Sequence, residues 1–327
     1  MDVVILTRRQ ILLSAAGLAK AQQPERSPNT FSMDVKVINV LATVRDRQGN
    51  IIRNLSRENF RLEDDGVAQE IKYFSRQSDL ALTLGMLIDT SGSQIRVLGE
   101  EQRASFRFLR QVLREDKDTA FVIRFDFDVE LLQDLTSSRD RLEQSLSSLE
   151  AASIPQMRRR AQMGGGGVPP RRRRGGTALY DAVLLASDEL MRKQPGRKAF
   201  ILLSDGVDTG SRVSISSAIE AAQRADTLVY TIRFFDNKAF RANTPIGKKV
   251  LQRLAEETGG GYFDVSEKQP LQKVFRQIED ELRNQYNLGF TPSKADTSGA
   301  FHRIRLTTNQ KNALVQTRGG YYASAKK

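Results

Sequence analysis

Between residues 80 and 284 the chain alternates short apolar runs with segments whose apolar residues recur every three or four positions. The runs at 82–88, 199–203 and 228–232 are nearly continuous, as in strands that are buried on both faces of a sheet. The last segment, 271–284, has apolar residues at its first, fourth, fifth, eighth and twelfth positions, which is the spacing of one helix face. Strands that alternate with helices in this way predict an α/β fold with a doubly wound, mostly parallel sheet.

The segments on either side of this body have apolar residues at every second position, which is typical of strands with one buried face. Neither segment has enough apolar residues to bury a core alone. We therefore predict that 22–78 and 285–327 pair to form a β-rich, sandwich-like domain, into which the α/β domain at 79–284 is inserted. Two separate β pieces packed on the central domain are the alternative.

A tight turn is predicted in the N-terminal flank. Asp64-Asp65-Gly66 are residue types that favour turns, and they separate two strand-like segments at 60–63 and 70–74. These segments are expected to form a hairpin, preceded by a short helical turn that Ser56 caps.

The chain has no cysteine and a single histidine, His302. This composition argues against a thiol nucleophile, a disulfide framework, a zinc site of cysteines and histidines, and a conventional Ser-His-Asp triad. Any metal is therefore expected to have oxygen ligands, which favours Mg²⁺, Mn²⁺ or Ca²⁺. His302 lies in a strand-like run close to two arginines, and we expect it at the surface or at a sheet edge.

The formal net charge of +12 is concentrated in one loop. Residues 153–176 contain seven arginines and no acidic residue, and outside this loop and the first 21 residues the charge is only +3. We expect the loop to be a flexible insertion of solvated charge; an electropositive lip that steers acidic ligands is the alternative. No aromatic residue lies between its arginines, so we expect no nucleic-acid partner.

The N-terminus has the order of an export signal. Arg8 and Arg9 precede a short apolar run at 11–19, and Ala19-Lys20-Ala21 is a small-x-small cleavage pattern. The order resembles a twin-arginine signal at 1–21, which predicts cleavage after Ala21 and a periplasmic or extracellular protein. A frayed first helix is the alternative. No apolar run approaches the ~20 residues that span a bilayer, so no membrane span is expected.

Polar residues follow two of the buried strands and end the basic loop. In open α/β folds the ligand site lies at the carboxyl ends of the strands, where these residues would meet. Two carboxylates and three hydroxyls from separate loops form an all-oxygen site that suits Mg²⁺. The candidate ligands are Asp89, Ser91, Ser93, Thr177 and Asp205. The alternative is that Asp89 and Ser91 cap the following helix, which is compatible with a metal site.

At these residues the chain resembles the von Willebrand factor type A family. The metal-ion-dependent adhesion site of that family consists of D-x-S-x-S after the first strand, a threonine in a later loop and an aspartate after the fourth strand. All five positions are filled here. The resemblance covers about 79–284, and the flanks look like those of bacterial type A-related secreted proteins. The stretches that match are 60–66, 125–128 with 131–134, and 318–322.

In that family the metal leaves one coordination position open, and a carboxylate of a protein partner fills it. The resemblance therefore implies a cation-dependent protein-binding module rather than an enzyme, with Mg²⁺, Mn²⁺ or Ca²⁺ as the ion. A metal-independent interaction scaffold is a second hypothesis. A phosphohydrolase with Asp89 as nucleophile is a third and weaker one, because its general acid would stand at position 91, which is a serine.

Three further aspartates and one helix complete the predictions. Asp126, Asp128 and Asp208 would extend the metal site or supply a second one; for Asp208 we favour a solvated loop or a helix cap. The closing helix at 271–284 continues into the C-terminal strands, so occupancy of the metal site is predicted to tilt this helix and to signal to the β-rich domain.

Overall fold

The computed structural model describes residues 37–77, 80–92, 94, 98–149, 176–234, 245–293, 296 and 298–323. The strands are β1 Ile38–Arg45, β2 Phe60–Asp64, β3 Val67–Gln69, β4 Tyr73–Gln77, β5 Leu82–Asp89, β6 Thr119–Phe125, β7 Val129–Thr136, β8 Arg197–Ser204, β9 Thr227–Arg233, β10 Tyr262–Asp264, β11 Gln285–Phe290, β12 Phe301–Thr308, β13 Leu314–Thr317 and β14 Gly320–Tyr322. The helices are α1 Leu98–Val112, α2 139–149, α3 Leu179–Leu185, α4 Ile215–Arg224, α5 Pro245–Thr258 and α6 Leu271–Arg283. A π-helical turn, Ala186–Leu190, and a 3-10 turn, Met191–Lys193, extend α3.

Within the described residues, six strands form the central sheet, in the order β10-β9-β8-β5-β6-β7. All neighbours are parallel except β7, which pairs antiparallel with β6 at one edge. Counted from β5, the order is the 3-2-1-4-5-6 arrangement of doubly wound folds. Every residue of β5 and β8 is buried, which explains their apolar runs. The predicted doubly wound, mostly parallel sheet is confirmed.

Helices cover both faces of this sheet. The core on one face is built with α1, α2 and α6, and the core on the other face with α3, α4 and α5. Phe108 of α1 and Phe275 of α6 stack with their ring centroids 4.5 Å apart. Gly85 lies at the centre of β5, where a Cβ atom would meet the Phe121 ring at 2.4 Å, so only glycine fits between Phe121 and Phe200.

The two flanking segments form a sandwich. In the part of the chain that the structure describes, one sheet has the order β13-β1-β11-β4 and the other β14-β12-β2-β3. Strands from the N-terminal flank therefore pair with strands from the C-terminal flank in both sheets, β1 with β11 and β2 with β12. Side chains of both sheets share one apolar core, which includes Val40 and Leu288 from the first and Leu62 and Leu306 from the second. The predicted insertion of the α/β body into a β-rich domain is confirmed.

The predicted hairpin was wrong in its second strand. Asp65 and Gly66 both have positive φ, 49° and 80°, and form a two-residue turn that pairs Asp64 directly with Val67. The strand after the turn is therefore β3, Val67–Gln69, and not 70–74. Tyr73 instead begins β4, which pairs with β11 in the opposite sheet. Sequence patterning treated these two short strands as one.

Two ion pairs join the α/β body to the sandwich. Arg45 of β1 forms an ion pair with Glu281 of α6, whose side chain is fully buried. Arg318, beside β14, lies 2.5 Å from Asp226 at the turn between α4 and β9. Helix α6 ends at Arg283 and β11 begins at Gln285, so the connection between the two parts is short.

Several predictions concern residues outside the described ones. These are the export signal at 1–21 with its cleavage site, and all of the 153–176 loop except Gly176. The domain limits at 22, 79 and 285 stay predictions. Among the helices described, none combines the length and the apolar character needed to cross a membrane.

Candidate metal centre

Asp89 and Asp205 lie at the carboxyl ends of two adjacent parallel strands. Asp89 is the last residue of β5, and Asp205 follows directly on β8, which ends at Ser204. The two strands pair in register from Leu82–Arg197 to Ile88–Leu203, so their ends lie side by side. The Ser204 hydroxyl donates to Asp89 Oδ2 at 2.6 Å and joins the two strand ends directly.

The Asp89 carboxylate is held from both sides. Its Oδ1 accepts a hydrogen bond from the backbone N–H of Ser91 at 2.9 Å, while its Oδ2 accepts from Ser204. Burial is the main reason that the pKa of Asp89 is raised to about 7. The hydrogen bonds from Ser204 and Ser91 lower this pKa, whereas the negative charge of Asp205 raises it. A carboxylate so fully buried is costly as an anion unless a positive charge or a proton neutralises it.

Glu101 brings a third acidic side chain to this region. It lies on the buried face of α1, is fully buried, and neither of its carboxylate oxygens has a hydrogen-bond partner among the described residues. Burial, followed by the negative charges of Asp89, Glu100 and Asp205, raises the pKa of Glu101 well above its ordinary value. Sequence patterning missed Glu101, although an acid at a helical spacing from buried Leu98, Ala104 and Phe108 is a detectable anomaly.

Thr177 is buried, and hydrogen bonds of its backbone hold it in place. Its N–H donates to Thr209 Oγ1 at 3.1 Å, and its carbonyl accepts from the N–H groups of Thr209 and Gly210. The next residue, Ala178, donates to the Asp126 carbonyl at 2.6 Å. These bonds connect Thr177 to the segments that follow β8 and β6, the two neighbours of β5 in the sheet. Gly176 passes so close to Gly210 that a Cβ would meet its Cα at 2.8 Å.

The turn after Asp205 packs tightly on helix α5. Asp205 Oδ1 accepts from the Val207 N–H at 3.0 Å, and the Gly206 N–H donates to Ser204 Oγ at 3.0 Å. Gly206 has a φ of 81°, and a Cβ there would meet the Gly247 carbonyl at 2.3 Å. The turn that carries Asp205 therefore packs directly against α5.

The α/β body resembles the von Willebrand factor type A fold in its strand order and in the residues at its strand ends. Of the five predicted ligands, Asp89, Ser91 and Asp205 lie at the ends of β5 and β8, and Thr177 is bonded to the loops beside them. Ser93 lies outside the described residues.

No family model and no curated protein sequence matches the chain. Similar solved structures include BatB from Bacteroides thetaiotaomicron, with 17% identity, a TM-score of 0.44, and coverage of 63% of this chain and 100% of that one. The vWF domain of the type V pili tip protein Mfa5 from Porphyromonas gingivalis has 14% identity and a TM-score of 0.45, covering 62% and 95%. Proximal thread matrix protein 1 from the mussel byssus, with a zinc-occupied MIDAS motif, has 14% identity and a TM-score of 0.45, covering 66% and 48%.

The other aspartates near the type A-like site have structural partners. Asp208 Oδ1 accepts from the Leu179 N–H at 2.9 Å and from the Ser211 hydroxyl, so it caps α3 as we favoured. Asp126 Oδ1 accepts from the Asp128 N–H at 3.1 Å within the turn after β6. The described hydrogen bonds of the Asp89 carboxylate come from Ser91 and Ser204. They do not involve α1, the described part of which begins at Leu98.

The donor set fits a hard divalent cation. Carboxylates at Asp89 and Asp205 and hydroxyls at Ser91 and Thr177 are the oxygen ligands that Mg²⁺ accepts, with water completing its shell. Glu101 adds a third buried carboxyl group beside them. A cation at this end of the sheet would favour the ionised form of these carboxyl groups, because it would neutralise their negative charge.

Proposed function

We propose that the chain is a protein-binding module that acts through a divalent cation. Asp89, Ser91, Ser93, Thr177 and Asp205 would hold Mg²⁺, or Mn²⁺ or Ca²⁺, and leave one coordination position for an aspartate or glutamate carboxylate of a partner. The role is binding, with no chemical turnover. The N-terminal twin-arginine pattern supports export of this module to the periplasm or the cell exterior.

The buried acidic charge at the carboxyl end of the sheet is the main support for this proposal. Asp89 and Glu101 are both fully buried, Glu101 lacks hydrogen-bond partners among the described residues, and Asp205 raises the pKa of each. Clustered buried carboxylates destabilise a fold unless they are neutralised. Their position at the ligand-binding end of a doubly wound sheet makes a bound cation the natural counter-charge.

The protein groups around the site have separate roles. Ser204 and the Ser91 N–H hold the Asp89 carboxylate in one orientation before any cation arrives. The turn at Gly206 fixes Asp205 against α5. Thr177 is positioned by Thr209 and would add a hydroxyl from a third loop. Ligands fixed on rigid strand ends reduce the ordering that cation binding requires.

Mn²⁺ tests the proposed cation site, and acetate tests the coordination position that is left for a partner's carboxylate. Bound Mn²⁺ enhances the relaxation of water protons, and acetate that takes the open position should reduce this enhancement at saturating Mn²⁺. We expect one Mn²⁺ per chain at this centre, with Asp89→Ala and Asp205→Ala each abolishing that binding and the acetate effect. Asp188→Ala is a matched control, since its carboxylate pairs with Arg192 on an exposed face.

Two results would favour the other hypotheses. Partner or acidic-peptide binding that survives both EDTA and Asp89→Ala would indicate a metal-independent scaffold. Turnover of p-nitrophenyl phosphate that Asp89→Asn abolishes would indicate a phosphohydrolase. Neither outcome is expected if the cation only links this chain to a carboxylate of its partner.

A further inference from the structure

A second group of metal-ligating side chains lies in the β-rich sandwich, away from the strand ends of the type A-like body. Asp64 ends β2, Asp65 is the first residue of the turn that follows, and His302 belongs to β12. One ligand atom from each of these three residues lies within 4.8 Å of the other two. The pairing of β2 with β12 brings them together, with Asp64 opposite Ile304 and the Asp65 N–H donating to the Arg303 carbonyl at 2.9 Å.

Asp64 has an unsatisfied oxygen that points into this group. The residue is 7% exposed, and its Oδ2 accepts from the Tyr321 hydroxyl at 3.0 Å. Its Oδ1 is buried and has no hydrogen-bond partner among the described residues. His302 Nδ1 lies 3.8 Å from this oxygen, which is too far for a hydrogen bond. A buried carboxylate oxygen left in this state is costly.

His302 is oriented as a metal ligand would be. On the far side of the ring, Nε2 lies 2.9 Å from Asp296 Oδ2, and the ring stacks on Tyr321 with centroids 5.1 Å apart. Metal-binding histidines typically donate their second ring N–H to a carboxylate, which fixes the ring and leaves the other nitrogen free to bind the ion. Here that other nitrogen is Nδ1, and it faces Asp64 and Asp65.

Distances within the group match the coordination shell of a small cation. His302 Nδ1 is 2.9 Å from Asp65 Oδ2 and 3.8 Å from Asp64 Oδ1. With metal–ligand bonds of about 2.0–2.2 Å, neighbouring ligands of a tetrahedral ion are roughly 3.3–3.6 Å apart. The two observed distances bracket this value. Asp65 is also fixed, because its Oδ1 accepts from the Arg303 N–H at 2.8 Å and leaves Oδ2 for an ion.

We propose that Asp64, Asp65 and His302 form a second divalent-cation site, suited to Zn²⁺, with Asp296 as the residue that positions His302. Three protein ligands and a water would complete a tetrahedral shell. The ion would tie the N-terminal flank at Asp64 to the C-terminal flank at His302. Such a cross-link has a clear use in a chain without cysteine, which has no disulfide to join its flanks.

The single histidine makes a direct test feasible. The imidazole proton and nitrogen resonances of the full-length chain arise from His302 alone. Zn²⁺ at pH 7.5 should shift them in a saturable titration with one ion per chain, and Co²⁺ should displace them by a large paramagnetic shift. His302 resonances that Zn²⁺ leaves unchanged, and that move only with pH, would overturn the proposal in favour of an imidazolium shared by the aspartates.

Variants separate ligation from a purely structural role. Asp64→Asn should weaken Zn²⁺ binding at least tenfold, and Asp296→Asn should weaken it by about 10–100-fold through loss of ring orientation. Glu63→Gln is the matched control, since Glu63 lies on the same strand and pairs with exposed Arg305. Equal Zn²⁺ affinity in Asp64→Asn and wild type would contradict the assignment. In Asp89→Ala, Zn²⁺ should still shift His302, so failure of this site is distinguishable from failure of the first.

Thermal unfolding provides a second readout. Zn²⁺ should raise the Tm of the wild-type chain and of Glu63→Gln, because it binds the folded sandwich and not the unfolded chain. With Mg²⁺ saturating the first centre, Zn²⁺ should leave the Tm of His302→Gln unchanged. An equal Zn²⁺-induced rise in His302→Gln would place the ion elsewhere and overturn the proposal.

Discussion

The Ser204 hydroxyl donates to Asp89 Oδ2 at 2.6 Å, and this buried bond joins the carboxyl ends of β8 and β5. Ser204 Oγ also accepts from the Gly206 N–H, so one side chain connects both strand ends with the turn after Asp205. The orientation of Asp89 toward a cation therefore depends on a residue that is not itself a predicted ligand.

Loss of the Ser204 hydroxyl should lower the affinity for a cation more than it lowers the stability of the fold. In Ser204→Ala, Asp89 Oδ2 and the Gly206 N–H both lose a partner, and we expect Mg²⁺ affinity to fall by about 10–100-fold. Isothermal titration calorimetry measures the change. Ser187→Ala is the control, because Ser187 is equally buried but donates to the Val183 carbonyl within its own helix. Identical Mg²⁺ affinities in the two variants would remove the role assigned to Ser204.

The metal-free protein should lose stability as the pH rises toward neutrality. Folding raises the pKa of Asp89 from 3.8 to about 7, so its protonated form favours the folded state. That stabilisation is complete below about pH 4 and is lost as the pH rises through about 7. In EDTA, the Tm difference between wild type and Asp89→Asn should therefore change between pH 4 and 7.5, and saturating Mg²⁺ should reverse the loss. A pH-independent difference would show that Asp89 is not buried as described.

Glu101 should oppose folding in the absence of metal and favour cation binding. Replacing buried ionic groups by well-packed apolar side chains of similar volume is often neutral or stabilising, by about 1–4 kcal/mol for an ion pair. We expect Glu101→Met to raise the unfolding free energy in EDTA and to lower Mg²⁺ affinity. Glu143→Gln, on the exposed face of α2, should change neither. Urea denaturation with and without Mg²⁺ measures both effects, and a destabilised Glu101→Met protein in EDTA would count against the account.

Cation binding should be sensed by the closing helix. Helix α1, which includes Glu101, packs on α6 through the Phe108–Phe275 stack, and α6 contacts the sandwich through Glu281 and Arg45. We expect Mg²⁺ to slow amide hydrogen exchange in α6 by severalfold. Helix α4 on the opposite face of the sheet is the internal control. Unchanged exchange in α6 would confine the effect of the cation to the strand ends.

The fold could be predicted from the sequence where buried apolar residues recur at the spacing of a strand or a helix. The apolar runs of β5 and β8 predicted the sheet and placed Asp89 and Asp205 at its carboxyl edge, because parallel strands of a doubly wound fold end on one side. The alternating flanks predicted a sandwich from both ends. The closing helix followed from the same logic, since all five of its periodic apolar residues are buried.

Features that depend on strand register were not predictable in this way. His302 was expected at the surface or at a sheet edge, but pairing of β12 with β2 brings it beside Asp64, 238 positions earlier in the chain. The short strand β3 was missed because three residues give too little alternation to recognise. Glu101 was overlooked because an acidic residue on a helix normally faces water.

Mg²⁺ binding to Asp205→Ala, compared with Asp208→Ala, is the most direct test of the central claim. Both variants remove one carboxylate from the same loop, but Asp208 caps α3 whereas Asp205 is a proposed ligand. Mg²⁺ prefers oxygen ligands and therefore reports on this centre rather than on the His302 site. We predict that calorimetry detects one Mg²⁺ per chain in wild type and Asp208→Ala and none in Asp205→Ala. Undiminished Mg²⁺ binding by Asp205→Ala, or none by the wild type, would contradict the account.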